Sequence, residues 1–411
     1  MPAVRTRLRA LIIAMVALLG VALLGCASEA QDPHPEPPAA TEAPEPPTPE
    51  PPTPEELRHE AAIEWVDQAT PRELVGSVIM ASISGTDAGA LRGLMEAAGL
   101  GGFIVMGSNV PTTADELAAL TANLTVDPQL PPLIAVDEEG GVVTRLPWDD
   151  FAGADTLRFA PAVETEAAFR GRAELLAASG LNVNFGVVAD VTNNPHSFIY
   201  LRTLGDDPQA AATRVAAAVS GERTDHIATT LKHFPGHGAA PGDSHLTIPQ
   251  ADMTLEHWRA NDALPFEAGI DAGAELLMFG HLRFTQVSAA PASLAPEWYD
   301  IARDELGFDG VIVTDDLGML QASGEVEFQD PVKNVVSAIS AGADLALVVV
   351  GMDAQGVVAV VDGVTAAAES GTLPSERLRD AAIRCTELRL TLADSGQNDP
   401  HPDTAQDQTA N

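Results

Sequence analysis

The sequence predicts an α/β fold closed into a (β/α)8 barrel of the TIM type, a single catalytic domain, and three observations carry that prediction. Eight short apolar runs recur along the chain, at residues 75–83, 102–106, 133–136, 181–188, 227–232, 275–280, 310–314 and 345–350. Longer stretches rich in Ala, Leu and Glu separate them, as at residues 164–179 and 208–220. Continuous apolar strands alternating with helices imply a parallel sheet buried on both faces, and eight such units suggest closure into a barrel. An open doubly wound sheet is the alternative. The third observation is where the polar residues fall. Asp137-Glu138-Glu139 follows the third run, Asp190 and Asn193-Asn194 the fourth, and Lys232-His233 ends the fifth. His281 ends the sixth and Asp315-Asp316 the seventh. In a barrel these strand ends ring one mouth, where active sites are built.

Composition narrows the partners. The 411 residues carry 59 Asp and Glu against 22 Lys and Arg, a formal net charge of −37. Such a field repels nucleic acid and anionic membrane surfaces. With 45 % hydrophobic and 20 % charged residues the chain can build a sizeable core. Its two cysteines, Cys26 and Cys385, rule out a disulfide framework.

The N-terminal segment reads as a targeting signal. Arg5, Arg7 and Arg9 precede an apolar run at residues 11–24, about as long as a signal-peptide core and short for a membrane span. It ends Leu23-Leu24-Gly25-Cys26, which resembles a bacterial lipobox. The expectation is a signal peptide at 1–25, cleavage before a lipidated Cys26, and an extracytoplasmic protein anchored to the membrane without spanning it. Of the 31 prolines, 11 lie between Pro33 and Pro54 among Glu, Ala and Thr. Proline fixes φ and removes a donor, and the glutamates repel, so residues 26–59 are expected to be an extended, unfolded tether. The barrel is then expected at 60–395, with a disordered tail at 396–411. One folded domain suggests a monomer.

Three segments carry the chemistry. Residues 232–245 pack Lys232, three histidines and Asp243 into a strand end and a Gly/Pro loop. Asp243 and His245, two apart, can share a face or meet in a turn, and a carboxylate beside an imidazole orients it and favours its protonated form. A histidine of reference pKa about 6.5 suits general acid–base work near neutral pH. On spacing alone, the pair serves equally well to pin the loop. In residues 311–319 the adjacent Asp315 and Asp316 follow a buried strand. Two neighbouring carboxylates on an extended chain cannot face the same way, so one should face the mouth, as a nucleophile or ion ligand, and the other should be structural. Charge alone does not say which. In residues 137–145, Asp137 and Arg145 flank two glycines and can hydrogen-bond polyol or amide groups.

Together the segments resemble glycoside hydrolase family 3, and more closely its bacterial β-N-acetylglucosaminidase (β-hexosaminidase) branch. The likeness covers about residues 72–385. It rests on the Lys-His-Phe-Pro-Gly-His-Gly run with Asp-Ser-His at its fixed distance, on Thr-Asp-Asp-Leu-Gly-Met and on Val-Asp-Glu-Glu-Gly-Gly. The resemblance implies that Asp315 is the nucleophile, His245 the acid/base and Asp243 its dyad partner. It implies sugar-binding positions at Asp137, Arg145, Lys232, His233 and Arg202, and no cofactor. It implies a retaining enzyme that removes terminal N-acetylglucosamine from cell-wall glycosides or muropeptides through a covalent glycosyl–Asp intermediate. Around Arg202 the usual Ser-Phe is Thr203-Leu204, and Glu138 and Val142 replace the Gln and the second Arg of the turn. These departures bear on fine specificity.

Rival readings remain beside it. A deprotonated histidine is neutral, so an anionic acceptor such as phosphate meets less repulsion, and phosphorolysis is a variant. A metal-dependent hydrolase would use His233, His237, His245 and Asp243 as ligands. A non-catalytic sugar-binding lipoprotein is the third. His281 is read as satisfying a strand-end hydrogen bond.

Overall fold

The computed structural model describes residues 51–223 and 227–397. The expected signal peptide, residues 26–50 of the expected tether with Cys26, and residues 398–411 lie outside the described residues. From Pro52 onward the chain is one compact unit.

The eight expected strands all form. They are β1 (Ile79–Ala81), β2 (Gly102–Val105), β3 (Leu133–Val136), β4 (Val183–Val188), β5 (Ala228–Phe234), β6 (Leu276–Phe279), β7 (Val311–Thr314) and β8 (Ala346–Val348). Each pairs in parallel with its neighbours in chain order, and β8 returns to β1 through Ile79–Ala346, Met80–Leu347 and Ala81–Val348. A parallel bridge between Val313 and Leu345, with Thr314 N donating to Leu345 O at 3.0 Å, closes the ring. The strands are buried along nearly their whole length, as a sheet covered on both faces requires.

Helices wrap the barrel: α1 (Pro54–Gln68), α2 (Pro71–Ser77), α3 (Ala88–Ala98), α4 (Ala114–Leu124), α5 (Ala162–Ala178), α6 (Pro208–Glu222), α7 (Ala263–Asp271), α8 (Pro331–Ala341), α9 (Ala354–Glu369) and α10 (Ser375–Gln397). Near the N-terminus two boundaries differ from expectation, for one reason. Thr53 and Thr70 each accept from the amide of a glutamate three residues on, while that glutamate's carboxylate accepts from the threonine amide. This reciprocal cap, with Pro54 and Pro71 at the first helical position, starts a helix at each site. Helical structure therefore begins at Pro54, inside the stretch expected to be tether up to residue 59. Likewise Val75–Ser77, expected in the first strand, closes α2, and β1 keeps only three residues. At the other end α10 runs to Gln397, two residues past the expected boundary. It packs beside α1, with Arg379 paired to Asp67 at 2.5 Å.

The fifth strand positions the site. Its register with β6 shifts between Leu231 and Phe234. An irregularity of this kind breaks the alternation of side chains. Lys232 and His233 both reach polar partners at the mouth, while Phe234 turns into an aromatic cluster with Phe279 (4.7 Å between ring centroids), Phe266, Trp258 and Trp298. That cluster gives the strand end a rigid backing.

Candidate active site

At the mouth one chain of charge-assisted hydrogen bonds links three strand ends, those of β3, β4 and β5. Lys232 Nζ, almost wholly buried, donates to Asp137 Oδ1 at 2.9 Å and lies 2.7 Å from Glu139 Oε1. Arg202 grips Glu139 with two nitrogens, at 2.9 and 2.7 Å, and its Nη2 also donates to His233 Nε2 at 3.2 Å. His233 Nδ1 in turn donates to Asp190 at 2.7 Å. Arg145 Nη2 reaches Asp137 Oδ2 at 3.5 Å. Burial alone would push the Glu139 carboxyl up, but the Lys232 and Arg202 charges and their hydrogen bonds outweigh it and hold it down at about 2. The five expected sugar-binding positions, Asp137, Arg145, Arg202, Lys232 and His233, thus form one network. Its charges are already paired, so it offers fixed donors and acceptors to neutral hydroxyl and amide groups.

Two residues of this network were not singled out as ligands from sequence, Glu139 and Asp190. Glu139 sits in the same acidic turn as Asp137, and nothing in its spacing says that it faces two cations. Asp190 was legible only as a polar strand end. Its carboxylate accepts from the His233 ring, the His233 amide and the His237 amide, the last at 2.5 Å. Burial raises its carboxyl, but the His233 ring and the hydrogen bonds from His233 and His237 more than offset that and hold it below the usual range.

Behind the turn, Glu138 folds the loop back. Its Oε2 accepts from the amides of Arg145 (2.8 Å) and Leu146 (3.0 Å), which brings Arg145 over Asp137. Asn184 ties the turn to the barrel: it accepts from the Glu138 amide at 3.1 Å and donates to the Glu138 carbonyl at 3.0 Å and to Glu222 Oε1 at 2.5 Å. Burial pushes the Glu222 carboxyl up to about 8, against the pull of its Asn184 hydrogen bond. A carboxyl raised above its ordinary 4.5 folds as the neutral acid. The stability it lends is complete below about 4.5 and is lost as pH rises toward 8. Glu222→Gln is therefore expected to flatten the fall of melting temperature between pH 5 and 8.5 by a few degrees. Parallel curves for the two proteins would assign that fall to other groups.

The two adjacent aspartates divide as the alternation of an extended chain requires. Asp316 is buried, accepting from the amides of Gly318 (2.9 Å), Val349 (2.9 Å) and Val350 (2.7 Å). It is the structural member, locking the β7 end to the β8 end. Asp315 stays half-buried; one oxygen accepts from the Asp316 amide at 2.8 Å. Burial would raise its carboxyl, but the imidazoles of His233 and His281, the Asp316 amide and Lys232 hold it below the usual range, so it is ionised at neutral pH. His281 does satisfy the strand end: Nε2 donates to the Asp316 carbonyl at 2.9 Å, leaving Nδ1 to accept from Ser293 Oγ at 2.7 Å.

Asp243 and His245 sit on a flap, the loop that follows β5. His245 Nδ1 donates to Asp243 Oδ1 at 2.6 Å and its amide donates to the same oxygen at 3.0 Å, which leaves Nε2 free. The flap is rooted firmly. The Asp190 carboxylate holds the His237 amide, Gly236 takes a φ of +130° that other residues resist, and a Cβ on Gly238 would lie 1.8 Å from Val191 O. Beyond the flap, Gln250–Ala251 pairs in parallel with Arg283–Phe284. Between these anchors the hydrogen bonds from Ala240 to Thr247 stay within the flap, and the His245 side chain is 60 % exposed. No hydrogen bond or ion pair joins the dyad to Asp315 among the described residues. The Phe198 ring lies beside the dyad, its centroid 6.4 Å from that of His245. The histidines do not gather as metal ligands: among the described residues no group of three or more His, Cys, Asp or Glu is placed to hold an ion.

Comparison with known proteins gives the chain a family. A beta-hexosaminidase of Xanthomonas oryzae is 34 % identical over 286 residues, 66 % of this chain and 83 % of the relative. One from Stenotrophomonas maltophilia is 38 % identical over 215 residues, 50 % of this chain, so the match spans only 64 % of that relative's length. Among solved structures, a glycoside hydrolase family 3 beta-N-acetylglucosaminidase from Paenibacillus superposes with a TM-score of 0.75 at 30 % identity, covering 84 % of this chain and 66 % of that one. The family model for the glycosyl hydrolase family 3 N-terminal domain matches residues 72–388, and the chain belongs to that family.

Proposed function

We propose that the protein is a retaining β-N-acetylglucosaminidase that removes terminal N-acetylglucosamine from cell-wall-derived glycosides. Asp315 attacks the anomeric carbon while His245, charged through Asp243, protonates the leaving oxygen. The same imidazole then takes a proton from water as that water displaces Asp315. Asp137, Arg145, Arg202, Lys232 and His233 hold the ring's hydroxyls and acetamido group in line for attack. The observation that carries the reading is the dyad itself. A carboxylate that takes Nδ1–H and leaves Nε2 free, on the loop after β5 of a barrel whose β7 end carries an ionised aspartate, is an arrangement for moving a proton that sugar binding alone does not require. The names of the relatives and of the Paenibacillus structure point to the same substrate class.

The test is product analysis on N-acetylglucosamine-terminated muropeptides, followed by NMR from the first seconds. β-N-acetylglucosamine as first product is expected; the α-anomer would overturn the retaining mechanism. N-acetylglucosamine 1-phosphate, formed only when phosphate is added, would replace hydrolysis by phosphorolysis. Under the same reading the enzyme works outside the cytoplasm on a lipid anchor at Cys26, supported by the Leu23-Leu24-Gly25-Cys26 ending. Mass spectrometry of the mature N-terminus is expected to find a diacylglyceryl cysteine, and an unmodified N-terminus elsewhere would defeat it.

A further inference from the structure

Phe198 is not used by the mechanism above, yet its ring lies beside the dyad. It stands edge-on to His237, centroids 4.5 Å apart at 72°, and edge-on to His245 at 6.4 Å and 88°. It is half-buried, so part of the residue remains exposed. Unlike the flap, its loop is pinned. Asn194 Oδ1 accepts from the His196 amide at 3.0 Å, the Ser197 amide donates to the Asn194 carbonyl at 3.0 Å, and the Tyr200 amide donates to the Ser197 carbonyl at 3.1 Å. Arg158 donates to the Tyr200 carbonyl and stacks 3.7 Å from the Tyr200 ring, and Arg202 anchors the loop's far end to Glu139. On the flap, Leu246 follows His245 directly and is 70 % exposed.

An acid that protonates a leaving oxygen must lie within hydrogen-bond reach of it. The first ring of the leaving group is bonded to that oxygen, so it comes to rest against whatever flanks the acid. We propose that Phe198 is the platform of the leaving-group subsite, an aromatic surface on which the aglycone packs as His245 hands over its proton, with Leu246 lining the opposite side. The subsite takes leaving groups with an apolar face, such as the C–H face of a pyranose. It recognises them by contact and not by charge, as Phe198 and Leu246 offer no polar groups. This inference rests on the assignment of His245 as the acid.

The test compares Phe198→Ala with the wild type on N,N′-diacetylchitobiose and on methyl N-acetyl-β-glucosaminide. Both leaving oxygens are poor and need the proton; only the sugar leaving group fills the subsite. The variant is expected to lose about ten-fold more kcat/KM on the disaccharide than on the methyl glycoside. Most of the loss should fall in KM, and Phe198→Trp should restore it. Equal losses on both substrates would overturn the proposal and leave Phe198 as packing for His237. If the wild type turned over neither glycoside, the glycosidase reading would fall, and the subsite with it.

Discussion

Asp315→Asn is expected to lower kcat/KM on an aryl N-acetyl-β-glucosaminide by about 10⁴-fold or more. The change keeps a side-chain oxygen for the Asp316 amide, now 2.8 Å away, so the fold should persist and the melting temperature should move by no more than a few degrees. The control is its neighbour. Asp316 accepts three amides from the β7–β8 end, and an amide side chain supplies only one acceptor atom in place of two. Asp316→Asn should therefore lose stability first, and activity only as the folded fraction falls. Activity per folded molecule, read alongside circular dichroism, separates the two. If Asp315→Asn retained more than about a hundredth of the activity, the nucleophile would have to be sought elsewhere.

The contrast between these aspartates shows how far the sequence reaches. Alternation along a strand said that one faces the mouth and one the scaffold, but assigning them took the Val349 and Val350 amides, which follow β8. The eight strands were legible because each is a continuous apolar run, and their polar C-terminal ends marked the mouth. The two N-terminal boundaries, at Pro54 and Val75, moved because local capping chemistry at Thr53 and Thr70 overrides composition. Proline density reads as an unfolded tether until one proline is recognised as the first residue of a helix. Partners distant in sequence were the least legible. That Lys232 would meet Asp137 and Glu139, or that His233 would lie between Arg202 and Asp190, follows from barrel closure and not from any local pattern. The same holds for Phe198, which no sequence pattern marks and which stands out only through its position beside two histidine rings.

His245→Ala should separate leaving groups by how much they need a proton. The kcat/KM on diacetylchitobiose is expected to fall by about 10³-fold, and on a dinitrophenyl glycoside by less than about ten-fold. The ratio kcat/KM is the proper reading because it reports the first irreversible step, in which an activated leaving group departs unaided. The turnover number on the dinitrophenyl substrate should still fall, since the second step needs His245 to deprotonate water. Azide requires no base, so adding it should restore that turnover and yield the β-glycosyl azide. Asp243→Asn probes the same chain one link back. With Nδ1–H no longer facing a carboxylate, the imidazolium loses the charge partner now 2.6 Å away, and the chitobiose rate should drop while the dinitrophenyl rate holds. The exposure of the dyad in this structure makes the result decisive. An imidazole that is 60 % exposed and bonded only within its own flap contributes little to the fold, so a loss that depends on the leaving group reports proton transfer. Equal losses on both substrates would remove His245 from that role.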